Sequence, residues 1–245
     1  MAGTAPLAVL LPPSEGKALG GEGAPWDPAS GTFAALAPHR TKVAAALRKA
    51  KGGDAKLLGV GGAHLSRAQD ANRTVIGAPA LPAAQRYTGV VYDHLGLATL
   101  PAAARRRASS SIVVLSGLLG AVGIDDPTPD YRLKMGARLA PLGTMQRGWK
   151  PALSDALNEW LTGRVVIDLL PNEHAAAWAP SPPDYAAFLR VSFVERAADR
   201  PGKVVGHDAK AAKGALVRHL LTSRAAPARA LASFEHERFV LQITA

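Results

Sequence analysis

Apolar residues gather in short runs along this chain, and most of the runs stop at proline or glycine. Ala8 to Leu11 ends in Pro12-Pro13, which predicts a buried strand leaving its sheet. Ile112 to Leu115, rich in β-branched residues, turns into Ser116-Gly117, and Val165 to Leu169 repeats that pattern before Leu170-Pro171-Asn172-Glu173. Phe188 to Val194, Lys203 to Val205 and Phe234 to Ile243 read as further strands. Helical composition marks Thr41 to Lys51, about Ala63 to Asn72, a start at Pro101 to Arg107, Trp149 to Leu161, and Asp208 to Leu221 with Asp208 as N-cap. Arg105, Arg106 and Arg107 fall towards the C-terminal end of their helix, where cations suit the dipole. Gly20 to Gly31 reads as a surface loop. Strands alternate with helices over the second half, so the pattern predicts an α/β (α+β) fold, a mixed sheet flanked by helices. Neither repeats nor a linker divide the chain, which reads as a single domain over 1–245.

Composition narrows the chemistry. With 48% hydrophobic and 20% charged residues the chain has globular values, and the absence of cysteine excludes disulfides, thiolate nucleophiles and cysteine-held metals. Seven scattered histidines offer no ligand spacing, so no metal site and no cofactor are expected. Met1 to Leu11 lacks the features of a signal peptide and no apolar stretch approaches bilayer length, so a cytoplasmic protein without membrane contact is expected. The net charge of +10 is uneven: +7 over residues 1–111, −1 over 112–200 and +4 over 201–245. Such an excess points to polyanions, although an Arg- and Ala-rich composition alone would also produce it.

Position sharpens the first of these readings. Lys56-Leu57-Leu58-Gly59-Val60-Gly61-Gly62 to Arg67 lies between two helical segments and resembles a helix-hairpin-helix element, about residues 41–73. In that motif, glycines allow close backbone approach and amides donate to DNA phosphates without reading bases. Lys56, Gly59, Gly61, Gly62 and Arg67 are the candidate contacts; the alternative is an ordinary glycine-rich turn.

A second constellation runs through Leu115-Ser116-Gly117-Leu118-Leu119-Gly120 and on to Pro129-Asp130-Tyr131-Arg132-Leu133-Lys134-Met135-Gly136. Together with Leu11-Pro12-Pro13-Ser14-Glu15-Gly16-Lys17, Tyr87-Thr88-Gly89 and Ala209-Lys210-Ala211-Ala212-Lys213-Gly214, it resembles, in order, the motifs of the YaaA peroxide-stress family. The resemblance implies a cytoplasmic protein of unusual α/β fold with a helix-hairpin-helix element, which binds DNA and limits damage by peroxide and loose iron. Leu119 stands where the family has Tyr, Lys134 where it has Glu, and Asp168 to His174 follows the family segment only loosely, which opens a change in pocket specificity.

Read from the residues, these motifs bring Lys17, Arg132, Lys210 and Lys213 beside Ser14, Tyr87, Thr88, Ser116 and Tyr131, a set suited to capturing phosphate. Lys210 and Lys213, three apart on a helix, repel unless an anion lies between them or one turns to solvent; a solvated basic face is the alternative. Lys17, Ser116, Asp168, Glu173 and His207 are the candidates for catalysis, with the two acids placed after a strand end, where general bases often sit. No carboxylate cluster suggests a nuclease. Two readings follow. One is a DNA-binding stress protein gripping backbone phosphates with little sequence specificity; the other is an enzyme acting on a small phosphate-bearing or nucleoside-like substrate.

Overall fold

A computed structural model describes residues 5–196 and 206–244. Its centre is a six-stranded mixed sheet built from β1 (Leu7–Leu11), β2 (Ile112–Ser116), β3 (Gly120–Gly123), β4 (Val165–Asp168), β5 (Ala187–Glu195) and β6 (Phe239–Thr244). In space the order is β6-β5-β4-β1-β2-β3, with β2, β1, β4 and β5 parallel and β3 and β6 antiparallel at the two edges. All five residues of β1 are buried. Alternate strand residues point to opposite faces, so both faces of this strand are covered, which explains a run of unbroken apolar residues rather than an alternating one.

The chain leaves β1 towards β2 on one side and later returns as β4 on the other side. The strand order therefore reverses between β1 and β4, and their carboxyl ends open a crevice there. The register aligns those ends: Leu10 pairs with both Val113 and Asp168.

The principal helices are α1 (Ala37–Lys49), α2 (Ala55–Leu58), α3 (Gly62–Arg73), α4 (Val90–Leu95), α5 (Ala102–Ser111), α6 (Met145–Leu161) and α7 (Gly206–Thr222). Helix α6 buries Trp149, Leu153, Leu157 and Leu161, an i, i+4 stripe. It starts four residues before the predicted Trp149 and contains Pro151, because burial of Met145 and Trp149 outweighs the weak propensities of Gly148 and Pro151. Helix α7 packs on α4 and α5.

The sheet-and-helix plan agrees with the sequence pattern, with some corrections. Asp208 lies inside the first turn of α7 and pairs with Arg238 instead of capping. The Arg105–Arg107 run does not end α5, which continues to Ser111; Arg105 pairs with Asp125, and Arg107 donates to the carbonyls of Leu221 (2.9 Å) and Ser223, capping the end of α7. The last strand begins at Phe239, five residues later than predicted. Lys203 to Val205 lies outside the described residues.

Candidate functional site

At the carboxyl ends of β1 and β4 lies a pocket of about 530 Å³, walled by the loop 12–17, the segments 88–92 and 131–134, the turn after β4, and Lys210 and Lys213 of α7. A second hollow of about 290 Å³ shares Glu15, Lys17, Thr88, Tyr131 and Arg132 with it and reaches His64 and Arg67 on α3. The two form one cleft, running from the glycine turn before α3 to the switch point of the sheet.

Lys17 forms the floor between them. Its Nζ donates to the carbonyl of Ser14 (3.1 Å) and lies 4.3 Å from the centre of the Tyr131 ring and 5.7 Å from that of Tyr87. Burial, with the charge of Arg132 adding to it, lowers its pKa to about 8 against the opposing pull of Asp130 and Glu15. Behind it the hydroxyls of Tyr87, Tyr131 and Ser116 form a buried chain, 2.9 and 2.6 Å apart, and Ser116 Oγ accepts from the amides of Leu118 and Leu119. Burial pushes the Tyr131 phenol up to about 12 although Ser116 and Tyr87 hydrogen bond to it. Tyr131 and Thr88 line the pocket, whereas Tyr87 and Ser116 are buried one layer back, where both hydrogen bond to the Tyr131 hydroxyl. Ser14 lines the pocket from the β1 loop.

Arg132 joins the pocket to the glycine turn. Its Nε donates to the carbonyl of Leu58 at the end of α2 (3.0 Å) and its Nη2 to Glu15 (2.9 Å), while Lys134 Nζ lies 3.2 Å from the same carboxylate. Burial raises the Glu15 pKa, but hydrogen bonding and charge from Lys134 and Arg132 prevail and hold it below the usual carboxylate value. Buried Asn72 at the end of α3 exchanges hydrogen bonds with the backbone of Arg132 (2.9 and 2.8 Å), which ties the helix to the pocket wall. Sequence reasoning passed over Glu15, and it met Lys134 only as a departure from the family pattern. Neither carries a local signal, because their pairing spans more than a hundred residues.

In the turn itself, Asp54 caps α2 by accepting from Leu57 N–H (2.7 Å), Gly59 ends that helix at φ 63°, and Gly62 opens α3 at φ 57°. Both glycines use backbone that other residues adopt only with strain. Gly61 does not: its φ of −137° is extended and nothing lies within 4 Å of where a Cβ would sit. Lys56 is exposed, and Arg67 pairs with Asp130 at 2.9 Å.

The far wall holds the remaining candidates. Lys210 is exposed, but Lys213 turns inward and its Nζ donates to the carbonyl of Leu169. The pair thus avoids repulsion by pointing one member into the protein. Burial, helped by Lys210 and Arg190 and opposed by Asp168, lowers the Lys213 pKa to about 8. Asp168 is buried outside the pocket lining, accepts from Leu170 N–H (2.8 Å) and faces Arg190 at 4.0 Å; burial raises its pKa despite these partners. Glu173 lines the pocket with its carboxylate engaged by the amide of Gly136 (2.6 Å). Its neighbour His174, which sequence reasoning did not single out, also lines the pocket; burial lowers its pKa to about 4, so its imidazole is neutral, and its Nδ1 has no hydrogen-bond partner among the described residues. His207 falls in the first turn of α7, and its side chain lies outside the described part.

Among the described residues, no helix is long and apolar enough to cross a membrane and no three acids or histidines gather at metal-binding distance. Fold and site together define a mixed α/β protein with a lysine- and arginine-lined cleft at its topological switch point. The chain belongs to the peroxide stress protein YaaA family, whose model matches residues 7–244. It is similar to a UPF0246 protein of Streptomyces coelicolor, 41% identical over 90% of this chain and 85% of the relative, and to one of Corynebacterium glutamicum, 35% identical over 89% and 86%. An uncharacterised protein of Campylobacter jejuni is 29% identical over 57% of this chain and 53% of its own length.

Proposed function

We propose that this peroxide-stress protein binds DNA through backbone phosphates, with the glycine turn before α3 as outer contact and the cleft as inner one. What carries the reading is the cation run: Arg67 at the turn, then Arg132, Lys134, Lys17, Lys213 and Lys210 along one continuous cleft, with Glu15 and Glu173 as the acids of the deeper pocket. Phosphate is the ligand chemistry such a set recognises.

A second reading rests on pocket size. A hollow of about 530 Å³ matches a small ligand, and it lies where α/β proteins bind nucleotides, so a small phosphate-bearing or nucleoside-like substrate is the alternative. Fluorescence anisotropy separates the two. DNA binding is expected at low salt, weakening steeply with added salt and similar for two unrelated duplexes. Gly61→Val is the cleanest probe of the turn, because the position has room and unstrained backbone, so the fold survives and only close approach of a partner is obstructed. It should weaken DNA binding, as should Lys56→Ala. If folded Gly61→Val and Lys56→Ala bind DNA like the parent, the turn is no DNA contact and the small-substrate reading prevails.

A further inference from the structure

Glu15 stands where the two hollows meet and lines both. Of the other acids of the cleft, Glu173 takes the Gly136 amide and Asp130 pairs with a single cleft cation, Arg67. Among the described residues, the Glu15 carboxylate is held by Arg132 and Lys134 alone, two cations that themselves face the pocket. Its side chain is 67% exposed, so both pairs are screened by solvent and weak. The backbone around it is fixed: the Lys17 ammonium donates to the Ser14 carbonyl, and the Thr88 amide donates to the Gly16 carbonyl at 3.2 Å. Glu15 can therefore leave its cations by rotating its side chain while the loop stays in place.

A carboxylate between a guanidinium and an ammonium occupies the place a phosphate would take, since the arginine fork and lysine charge suit both anions. We propose that the Glu15 carboxylate is a built-in stand-in for a ligand phosphate, keeping Arg132 and Lys134 in the cleft until a phosphate displaces it and joins the two hollows. The assignment rests on the cleft binding a phosphate-bearing ligand. It also names the ligand class. A tethered carboxylate competes at high effective concentration, so a lone small anion loses to it. A ligand with several phosphates, which also reaches Lys210 and Lys213 or the turn before α3, displaces it. Glu15 thus selects a nucleic-acid strand or polyphosphate over a single phosphate.

The test compares Glu15→Gln with Glu22→Gln, an exposed acid outside both hollows that controls for the change in net charge. Binding to a duplex DNA and to a nucleoside monophosphate is measured over a salt series. Glu15→Gln should bind several-fold more tightly than Glu22→Gln across the salt series, because no tethered carboxylate has to be displaced from Arg132 and Lys134. Adding Lys134→Met should remove most of that gain. A gain on DNA identifies a strand as the ligand; a gain on the mononucleotide alone overturns the selection for several phosphates. If the parent binds but folded Glu15→Gln behaves like Glu22→Gln, the assignment of Glu15 falls and the cleft reading stands. If parent and Glu15→Gln both bind neither ligand at low salt, the two fall together.

Discussion

Lys213 shows how far surroundings change a residue. An ordinary lysine stays charged to above pH 10, whereas this amine, like Lys17, titrates at about 8 because burial strips its water. The folded pKa lies below the unfolded one, so between about 8 and 10.5 the unfolded chain holds more protons. The penalty for burying the charge is constant below pH 8 and disappears as pH rises through that window. Lys213→Met should thus stabilise the protein at pH 7, by about 1 kcal/mol in urea unfolding, while weakening anion binding, the usual exchange of stability for function. Lower affinity without a gain in stability would show that the amine is not strained by burial. Binding should respond to pH in the opposite sense. Phosphate affinity should fall as pH rises through about 8 and the amines lose charge, and Lys213→Arg, which cannot lose its proton, should flatten the profile in binding titrations from pH 7 to 9.5.

Among elements, the seating of α7 on α4 decides where these lysines go. Gly214, the last residue of the Ala209 to Gly214 motif, lies so close to α4 that a Cβ would come within 2.3 Å of the Val91 carbonyl and 3.0 Å of the Leu95 amide. Neither backbone atom can give way cheaply. Gly214→Ala should cost roughly 2 to 3 kcal/mol despite the better helix propensity of alanine, with α7 displaced and anion affinity reduced. An unchanged urea midpoint would mean the helices part without cost. A comparable contact holds the turn after β2: Trp149 Nε1 donates to the Gly117 carbonyl at 2.8 Å, and its ring fills the space beside Gly120, which sits at φ 71°. Trp149→Phe removes a buried donor and should cost about 1 to 3 kcal/mol, read from the same unfolding curves.

For the whole molecule, a net charge of +10 overstates the binding surface. Arg40 and Arg86 are buried, donating to carbonyls of Leu119 and Ala121 and of Thr128 and Gly20 respectively, and Arg107 caps α7. Three of the basic residues of 1–111 are therefore structural, two of them interior. If the cations of the cleft and turn neutralise about five phosphates, the logarithm of DNA affinity should fall against that of salt with a slope of about −4.5. A slope approaching −9 would require a far wider contact surface than this cleft.

The strands and long helices were legible in the sequence because apolar periodicity and the Pro and Gly signals are local properties, and Ala8–Leu11, Ile112–Leu115 and Val165–Leu169 each reappear within one or two residues. The motifs at 14–17, 87–89, 131–132 and 210–213 were legible as a set because, in that order, they resemble those of the YaaA family. What the sequence could not determine was direction. Lys210 and Lys213 look alike in one dimension, yet packing of α7 exposes the first and buries the second. Tyr87 and Ser116 read as ligand contacts, yet the close approach of Tyr131 sets them behind it. Glu15 lay inside a recognised motif, but its pairing carried no signal, because its two cations lie more than a hundred residues away and meet it only where the loops after β1 and β3 converge. Burial and long-range charge pairing are properties of the assembled surface, so the sequence determined the inventory of the cleft, and the tertiary structure alone decided which members face it.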